Sequence, residues 1–558
     1  MKLTPRSWRS EYLNLIPWSE QQLEVFTQAV RSKDHLLLEA CAGAGKTTTI
    51  MGLIAALPTS VKVQVIAFNR HIAAEIKDDP RIPATRVRVS TSHGVGLSML
   101  MRFWRGQKPE VDPNKYYKIA DQLLTQIELG VTPQCLEFQI PDERETFLRS
   151  VAEVVEFAHN TLTEPTAAKL SKMASWYGLD LPGDKRLKQE LFSMVEVAID
   201  IGESDAMTKY TISYSDMVYL PVRFKLYAPG KHYIIVDEAQ DLSPAQIAIV
   251  NKFVLGGARL IAVGDPSQSI YGFCGGDPYS LEKIENKFSP LRLDLDVCYR
   301  CGSSILELAQ TFKPSITPAP GADRGAVMVL HPDSMAELVQ PEDLVICRFN
   351  APLVHKCIEF YSKGIKAGII GGDLANALRG LLYQASALEG SLIDNLHRIA
   401  AERALRLSHA GRETEALEVE GLKNALLHLI ADYHTTTVKQ LDRLIGVIFN
   451  PDDPDIKMAS IHRAKGTEAD RVWLLACNLL PRTNPVVIPW QNQQENNLTY
   501  VALTRAKKRL YLVPYAMSDE DGNVDDLVEE PYGGLTLPRE VKRIAPPPKV
   551  ITGQLSLF

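Results

Sequence analysis

The sequence lacks long apolar stretches, an excess of basic residues and an ordered set of cysteines. None of its apolar runs approaches the roughly 18 residues of a membrane-spanning helix. The start of the chain has basic residues but not the apolar core of a secretory signal. The eight cysteines are scattered, which is typical of free thiols in a reducing compartment. These absences argue against membrane and secreted proteins and favour a cytoplasmic one.

One cysteine pair, Cys298 and Cys301, has CxxC spacing. Neither a second CxxC nor a histidine pair accompanies it to complete a tetrahedral zinc site, so two free thiols are the favoured interpretation. The formal net charge is −6, which argues weakly against a nucleic acid partner because Lys and Arg neutralise phosphates. Net charge averages the whole surface, however, so an acidic protein can carry one local DNA-binding groove.

Short apolar segments alternate with helical patterns over the 558 residues. Strands separated by helices form parallel sheets with helices on both faces, so the pattern predicts α/β domains. The first group of predicted strands is 35–40, 63–68, 87–91, 233–236 and 260–263, and the second is 344–348, 472–476 and 510–513. Long amphipathic patterns such as 144–159 and 188–201 predict a helical insertion in the first domain, and a second insertion interrupts the second domain.

A phosphate-binding loop is predicted between the first strand and the helix that follows it. Glycines let backbone N–H groups curl around phosphate oxygens, Lys46 can reach the β- and γ-phosphates, and Thr47 can ligate Mg²⁺. Ala40 stands where the general pattern has its first glycine. The predicted contacts are Ala42, Gly43, Ala44, Gly45, Lys46, Thr47 and Thr48. The loop therefore predicts ATP and Mg²⁺ as ligands.

Two carboxylates follow the predicted strand 233–236 directly. Asp237 would hold the Mg²⁺ shell together with Thr47, and Glu238 would orient or deprotonate the attacking water. An acidic surface turn is the alternative, but it is a poor one after a buried strand in a chain that already has a phosphate loop. The pair therefore predicts hydrolysis of the bound nucleotide.

In order and spacing, these and later motifs resemble superfamily 1A DNA helicases of the UvrD/Rep/PcrA type, from Gln22 to Arg505. IAFNRHIAAEI and VDEAQD are similar to the F-box DNA helicase branch. The resemblance implies two RecA-like P-loop domains with parallel sheets, each carrying an α-helical insertion. It also implies DNA-stimulated ATP hydrolysis, and QSIYGF resembles the group that moves 3′→5′.

The implied domain boundaries divide the chain into seven segments. They are 1–97 and 212–290 for the first RecA-like domain (1A), 98–211 for its insertion (1B), 291–372 and 450–537 for the second (2A), 373–449 for a short insertion (2B), and 538–558 for a Pro-rich linker with a short peptide.

The same resemblance assigns residues to the base and ribose of ATP. Gln22 would pair with adenine, and Tyr299 would stack on it. Glu468 would bind the ribose, with Gly466 beside it in the same nucleotide-binding motif.

Three further residues are assigned to the γ-phosphate. Gln268 would sense it, while Arg300 and Arg505 would supply positive charge where negative charge develops. An arginine in this position raises the rate of phosphoryl transfer by roughly 10³–10⁵-fold. Because both arginines belong to the second domain, they would place ATP at a domain seam.

Four motifs are assigned to DNA, which would be single-stranded or at a junction with duplex. The residues are Phe68, Asn69, Arg70, Thr91, His93, Tyr271, Phe273, Ser460 and His462. For isolated aromatic residues, a place in the hydrophobic core would be the better interpretation. Tyr271 and Phe273 follow Gln268 directly, however, and stacking suits movement along any sequence because every base has a π-face.

Some positions depart from the family pattern. Cys274 stands where the family usually has arginine, and Asn496 and Asn497 stand where many members have two arginines. The insertion at 373–449 is short and has no clear helix–hairpin–helix signature. The substitutions would weaken a DNA or interdomain contact, and the short insertion puts strong autoinhibition and a grip on duplex DNA in doubt.

The segment after the prolines at 546–548 resembles the peptide with which bacterial replication proteins bind the sliding clamp. Its residues are Gln554, Leu555, Ser556, Leu557 and Phe558. A glutamine that reaches polar groups and apolar anchors that fill a cleft can supply most of the affinity of such a contact. A frayed apolar terminus is the alternative.

Several functions therefore compete. The first is a 3′→5′ DNA helicase, monomeric when free. The second is a single-strand translocase that strips proteins and unwinds little. A clamp-tethered scaffold with a degenerate ATP site is disfavoured because Lys46, Glu238, Gln268, Arg300 and Arg505 are all present. A fused nuclease is disfavoured because little chain follows Arg505.

Overall fold

The computed structural model describes most of the chain in two compact units. Its residues are 13, 16–68, 70–79, 82, 84–128, 141–179, 181–371, 373–409, 413–434, 437–449, 451–481, 488–514 and 542–544. The first unit comprises residues 1–296 and 488–494, and the second comprises 297–487 and 495–558. Each unit is built around its own parallel sheet.

The first unit contains a six-stranded sheet in the order β3-β2-β6-β7-β1-β8, and all of its strand pairs are parallel. The strands are β1 (Leu36–Ala40), β2 (Val63–Ala67), β3 (Val87–Thr91), β6 (Tyr233–Val236), β7 (Arg259–Gly264) and β8 (Leu291–Leu295). A separate parallel pair is formed by β4 (Glu110–Val111) and β5 (Thr211–Ile212). Side chains of β7 are all buried, as a central strand covered on both faces requires.

Helices connect the strands of the first unit and form its insertion. They are α1 (Glu20–Arg31), α2 (Lys46–Ala56), α3 (Arg70–Asp78), α4 (Ser92–Phe103), α5 (Lys115–Glu128), α6 (Pro141–Thr161), α7 (Ala167–Tyr177), α8 (Lys185–Thr208), α9 (Asp216–Arg223), α10 (Pro244–Leu255) and α11 (Ser280–Phe288). Capping boxes begin α1 and α10. The hydroxyls of Ser19 and Ser243 accept from the backbone N–H three residues later, and the side chains of Gln22 and Gln246 accept from the backbone N–H groups of the two serines. Helices α5 to α8 share an apolar core of their own, separate from that of the sheet.

A buried polar network joins this helical insertion to α9. Lys115 Nζ lies 2.7 Å from Asp216 Oδ2 and also donates to the Gly202 carbonyl at 2.8 Å. The Tyr116 hydroxyl donates to Asp216 Oδ1 at 2.7 Å. Lys115 and Asp216 are almost fully buried. Burial also lowers the pKa of His159 to about 4, and this ring stacks on Tyr219 with centroids 4.0 Å apart.

The second unit contains a seven-stranded parallel sheet in the order β13-β14-β12-β15-β16-β11-β17. The strands are β11 (Ala326–Leu330), β12 (Leu344–Cys347), β13 (Ala367–Ile369), β14 (Ile456–Ser460), β15 (Ala469–Leu475), β16 (Ala506–Val513) and β17 (Lys542–Ile544). A short parallel pair, β9 (Val297–Cys298) and β10 (Thr317–Pro318), precedes them in the chain. The predicted α/β class with two parallel sheets is confirmed.

The helices of the second unit include the short insertion. They are α12 (Ser303–Ala309), α13 (Met335–Leu338), α14 (Asn350–Ser362), α15 (Asp373–Ser386), α16 (Leu392–His409), α17 (Glu413–Asp432), α18 (Val438–Phe449), α19 (Ile461–Ala464) and α20 (Pro489–Leu503), whose first turns belong to the first unit. Residues of α15 and α18, such as Leu378 and Ile445, lie in one apolar core with strand residues such as Trp473. The insertion is therefore continuous with its sheet, and its described residues also form one small additional core.

One predicted boundary was wrong. The sequence placed residues 291–295 in the second domain, but they form β8 and pair with β1 in the first sheet. The first unit accordingly extends to Asp296. The reason is that LRLDL alternates polar and apolar side chains, as an edge strand does, and carries no motif that would have assigned it to either sheet.

Among the described residues, no helix combines the length and the hydropathy of a membrane span.

Substituting Lys115→Met tests the buried network. Removal of the cation leaves Asp216 buried beside hydrogen-bond donors but without its ion-pair partner, which typically costs about 3–5 kcal/mol. We therefore expect a clear fall in the midpoint of urea-induced unfolding. Lys118→Met is the matched control, because Lys118 pairs with Asp112 while mostly exposed, and such pairs contribute less than about 1 kcal/mol. Equal midpoints for the two variants would contradict the account.

Candidate functional site

The first unit brings its predicted site residues to one edge of its sheet. Because all six strands run in the same direction, the segments that follow them emerge together at the carboxyl edge. Asp237 and Glu238 follow β6, and the phosphate loop follows β1. β7 lies between these two strands, so the two segments are not on adjacent strands, and β7 delivers Asp265 and Gln268 between them.

The phosphate loop has the backbone shape that its glycines predict. Gly43 and Gly45 have φ values of 72° and 74°, in the left-handed region that glycine adopts at little cost. Lys46 is the first residue of α2, so the free N–H groups and the positive end of the helix dipole face the loop. This arrangement suits a phosphate anion.

Glu238 lies between the phosphate loop and the neighbouring strand end. Its Oε1 is 3.5 Å from Lys46 Nζ, and both side chains are mostly buried. Its other oxygen accepts a hydrogen bond from Gln240. Glu238 also has a φ of 49°, which is uncommon for a residue with a side chain and costs free energy. Backbone strain and two polar partners therefore hold this carboxylate beside the loop.

Gln240 is a site residue that sequence reasoning missed. Its Nε2 donates to Glu238, and its Oε1 accepts from the backbone N–H of Asp265 at 3.1 Å. Gln268 Nε2 in turn donates to Asp265 Oδ2 at 2.7 Å. At Gly264, an added Cβ would lie 2.6 Å from Gln240 Oε1, so glycine leaves room for the amide. The signal was present in the DEAQD motif, but the motif alone does not show which strand end its glutamine contacts.

Gln22 is almost fully buried and bonded within the first unit. Its Oε1 accepts from the Ser19 backbone N–H at 3.1 Å, and its Nε2 donates to Thr49 Oγ1 on α2 at 2.9 Å. The residue thus links the start of α1 to the helix after the phosphate loop. Its assignment to adenine stays a prediction.

Aromatic residues from two separate motifs meet in the first unit. Phe68, after β2, stacks on Tyr271 with centroids 5.1 Å apart and planes inclined by 24°. Tyr271 contacts Phe273, with centroids 6.2 Å apart, and Phe273 is 48% exposed. The predicted DNA residues Phe68, Tyr271 and Phe273 therefore form one partly exposed cluster. Asn69 lies outside the described residues.

Residues 488–494 support this cluster and were also missed. The Gly272 backbone N–H donates to Gln494 Oε1 at 3.0 Å. Trp490 is almost fully buried, and its ring lies so close that a Cβ at position 272 would be 2.5 Å from it. Since both residues precede the next recognisable motif by several positions, no pattern in the sequence tied them to Gly272.

Two other predicted DNA residues begin α4. Thr91 is its N-cap, and its hydroxyl accepts from the Gly94 N–H at 3.2 Å. His93 lies in the first turn and is partly exposed. Cys274, the departure from the family pattern, is exposed.

In the second unit, Arg300 and Glu468 are paired. Arg300 Nε lies 2.5 Å from Glu468 Oε2, and Lys507 Nζ lies 2.7 Å from the other oxygen. Burial raises the pKa of Glu468, but Lys507 and Arg300 lower it more, so it lies below its usual range. Tyr299, next to Arg300, is 50% exposed and can offer its ring face to a flat ligand.

Arg505 is almost fully buried in the second unit. Its guanidinium donates to the carbonyls of Val501 at 2.8 Å and Thr467 at 3.3 Å, and to the Thr504 hydroxyl at 3.2 Å. Within this unit it therefore braces the turn that carries Gly466, whose φ is 87°. Its assignment to the γ-phosphate stays a prediction.

Ser460 and His462, both assigned to DNA, begin the short helix α19. The Ser460 hydroxyl caps the helix by accepting from the Arg463 N–H at 3.4 Å. Burial, with Arg348 and Lys465 nearby, lowers the pKa of His462 to about 3. His462 is thus uncharged at neutral pH, so any contact with DNA would use a neutral ring.

Some predicted residues are not described structurally. The residues predicted to bind the sliding clamp lie outside the described part of the chain; they are Gln554, Leu555, Ser556, Leu557 and Phe558. The side chain of Arg70 is also outside the described part. Asn497, one of the two departures before the last motif, is almost fully buried in α20.

The sequence matches two family models. Residues 18–289 match the UvrD/REP helicase N-terminal domain, and residues 395–516 match the UvrD-like helicase C-terminal domain. Both matches include residues from the sites described above.

Curated relatives are similar over half of the chain or more. The ATP-dependent DNA helicase PcrA of Bacillus subtilis is 29% identical over 50% of this chain and 38% of its own length. F-box DNA helicase protein 1 of Schizosaccharomyces pombe is 25% identical over 88% of this chain and 57% of its own. The ATP-dependent DNA helicase Rep of Escherichia coli is 26% identical over 53% of this chain and 43% of its own length. The chain thus spans less than two thirds of each relative.

Proposed function

Because the chain belongs to the UvrD/Rep superfamily of helicases, we propose that it is an ATP-dependent DNA helicase that moves 3′→5′ along single-stranded DNA. The proposed substrates are ATP and DNA that is single-stranded or at a junction with duplex. The relatives named above as ATP-dependent DNA helicases support this proposal.

The observation that carries the proposal is a hydrogen-bonded chain in the first unit. It runs from Glu238 through Gln240 and Asp265 to Gln268. Tyr271 follows Gln268 by three residues and stacks on Phe68. A residue suited to activating water is thus connected by short contacts to aromatics suited to stacking on bases. ATP hydrolysis alone would not require the aromatic residues that follow Gln268.

The residues of the loop fit a nucleotide phosphate with Mg²⁺. The left-handed glycines leave a cradle of N–H groups, and Lys46 supplies a cation at its end. Thr47 and Asp237 would hold Mg²⁺, which neutralises phosphate charge when bound. Glu238 would then orient or deprotonate the attacking water, and Gln268, which Asp265 holds by a hydrogen bond, would sense the γ-phosphate.

The remaining nucleotide assignments form part of the proposal. Arg300 and Arg505 would stabilise the charge that develops on the γ-phosphate, and Tyr299 would stack on adenine. The half-exposed ring of Tyr299 and the Arg300–Glu468 pair in the second unit support these roles.

The DNA strand would stack on Phe68, Tyr271 and Phe273. Base–aromatic stacking is worth about 1–3 kcal/mol per base and tolerates any sequence. This tolerance is what a motor needs in order to move along arbitrary DNA. His93 and Thr91 would contact the same strand.

A Glu238→Gln variant tests the proposed catalysis. The amide keeps the size of the side chain but cannot take a proton or repel the phosphate, so ATP should still bind. We expect DNA-stimulated ATP hydrolysis to fall by at least about 100-fold, as measured by phosphate release with and without single-stranded DNA.

The matched control is Glu282→Gln on α11, an exposed glutamate away from the strand ends. It should hydrolyse ATP like the unmodified protein. Retention of hydrolysis by Glu238→Gln would show that the catalytic carboxylate is another residue.

A second candidate function is a single-strand translocase that strips proteins from DNA and unwinds little duplex. The observation that favours it is the short insertion of α15 to α18, whose buried residues largely join the core of the second sheet. A helical insertion packed this way has less independent surface with which to grip duplex DNA. Both functions use the same ATP and DNA residues.

We also propose that residues 554–558 bind a bacterial sliding clamp, in a bacterial or bacteriophage setting. The prolines at 546–548 would keep the linker extended, and tethering would raise the local concentration of the motor at forks or repair sites. The support comes from the sequence QLSLF alone.

The double variant Leu557→Ala/Phe558→Ala tests the clamp proposal. Loss of both apolar anchors should weaken clamp binding at least tenfold in a surface-plasmon assay. ATP hydrolysis on free single strands should stay unchanged. Ser556→Ala is the control that alters the same peptide without removing an anchor. Equal affinity of the double variant and the control would refute clamp binding through this segment.

A further inference from the structure

Trp176 is a large exposed side chain outside every motif assigned to ATP or DNA. It lies near the end of α7, in the insertion of the first unit, and is 42% exposed. An exposed apolar residue alone would mean little, because folded proteins leave much apolar surface in water. What distinguishes Trp176 is that its helix end contacts the residues that support the aromatic cluster of Phe68, Tyr271 and Phe273.

The end of α7 is bonded to the segment 488–494. Gly178, with a φ of 68°, ends the helix, and the last carbonyls of a helix lack partners within it. The Trp490 indole N–H donates to one of them, the Trp176 carbonyl, at 3.2 Å. The Tyr177 ring also lies near Trp490, with centroids 6.1 Å apart. The backbone at Trp176 is therefore held by a residue outside the insertion.

The same indole contacts the loop that carries the aromatic cluster. A Cβ at Gly272 would lie 2.5 Å from the Trp490 ring. The loop also meets the insertion directly, because a Cβ at Gly275 would lie 3.2 Å from the Asn160 Cβ on α6. One buried ring thus contacts both the loop of the proposed DNA residues and the end of α7.

The exposed face of α7 carries a cation beside the tryptophan. Lys172 and Trp176 are four positions apart, so they are neighbours on the helix surface, and both are exposed. Leu170, Met173 and Ala174 lie on the opposite face and are buried. The helix therefore presents an indole ring and an ammonium group together on the side away from its core.

An aromatic ring next to a lysine suits single-stranded nucleic acid. Every base has a π-face on which an indole can stack, and each phosphate between bases attracts a cation. The Cβ atoms of helix neighbours are about 5–6 Å apart, so adjacent parts of one strand can reach both groups. Continuity with the aromatic cluster favours a DNA strand over a protein partner as the occupant of this face.

We propose that Trp176 and Lys172 extend the DNA-binding surface of the first unit beyond Phe273. Trp176 stacks on a base of the strand, and Lys172 contacts a phosphate close to that base. The proposal rests on the proposed function, because it requires the DNA strand that lies on the aromatic cluster. It makes a helix of the insertion part of the DNA-binding surface and lengthens the stretch of strand that the first unit holds.

Trp176→Ala tests the stacking contact. Binding of a fluorescein-labelled oligothymidylate to the full chain is measured by fluorescence anisotropy. Loss of one stacked base should raise Kd at least about fivefold, and Trp176→Phe, which keeps a ring, should raise it less. Tyr227→Ala is the control, because Tyr227 is an aromatic residue of the same unit that is 92% exposed. Equal Kd values for Trp176→Ala and Tyr227→Ala would overturn the proposal.

Lys172→Gln tests the phosphate contact through the salt dependence of the same binding. Loss of one neutralised phosphate should lower the slope of log Kd against log salt concentration by about 0.7. Lys209→Gln is the control, because Lys209 is a mostly exposed lysine at the end of α8 that pairs with Asp205. A slope equal to that of the control would contradict a phosphate contact at Lys172.

Photo-cross-linking locates the base without any substitution in the protein. The probe is an oligonucleotide that contains 5-bromodeoxyuridine, which ultraviolet light joins to side chains in contact with the base. Trypsin cuts after Lys172 and Lys185, so Trp176 lies in peptide 173–185, whereas Phe273 lies in peptide 260–283. We expect adducts in both peptides, the first at Trp176. Adducts in peptide 260–283 alone would overturn the proposal.

These readouts separate the proposal from the proposed function. If the unmodified protein bound no single-stranded DNA, both would fail. If it bound the strand, and Phe273→Ala weakened binding while Trp176→Ala did not, only the extension onto α7 would fail. If a variant did not fold, the cross-linked peptides of the unmodified protein would still decide the question.

Discussion

The parallel pairing of the strands is the constraint on which the site in the first unit depends. Because the six strands run in one direction, the turns after β1, β6 and β7 come together at one sheet edge. Residues far apart in sequence, such as Lys46 and Glu238, thereby come within 3.5 Å of each other. A single antiparallel strand in the centre of the sheet would send its following turn to the opposite edge.

The proposed connection between the ATP site and the DNA-binding aromatic residues depends on the same sheet edge. β7 lies between β6 and β1, so the segment after it can contact Glu238 through Gln240 and also extend to the aromatic cluster. Gln268 and Asp265 are almost fully buried, and hydrogen bonds among buried groups are costly to break. In the proposed function, a change at the γ-phosphate would be transmitted by rearrangement of these few hydrogen bonds.

Much of the fold could be predicted, because buried parallel strands are short apolar runs that stand out in sequence. The strand 233–236 was predicted with the bounds observed, and the strand 87–91 likewise. The edge strand β8 was misassigned because its alternation of polar and apolar residues fits either domain. The phosphate loop was recognisable in sequence because Gly43 and Gly45 adopt positive φ angles, which glycine tolerates better than other residues.

Contacts between segments could not be predicted from one sequence. Gln240 and Trp490 support the site through partners that lie 25 or more than 200 positions away, and no local pattern records such pairs. The hydrogen bonds that Gln22 and Arg505 make within the protein could not be predicted from the sequence either. A motif assigns a ligand to a residue but does not show which protein groups the residue also contacts.

The central claim is that ATP hydrolysis drives movement 3′→5′ with separation of DNA strands. The most direct measurement is strand displacement on two duplexes that differ only in whether the single-stranded tail is 3′ or 5′, with ATP and Mg²⁺. We expect displacement from the 3′-tailed duplex and little from the 5′-tailed one. Equal displacement of both, or ATP-driven movement along single strands with neither duplex opened, would contradict it.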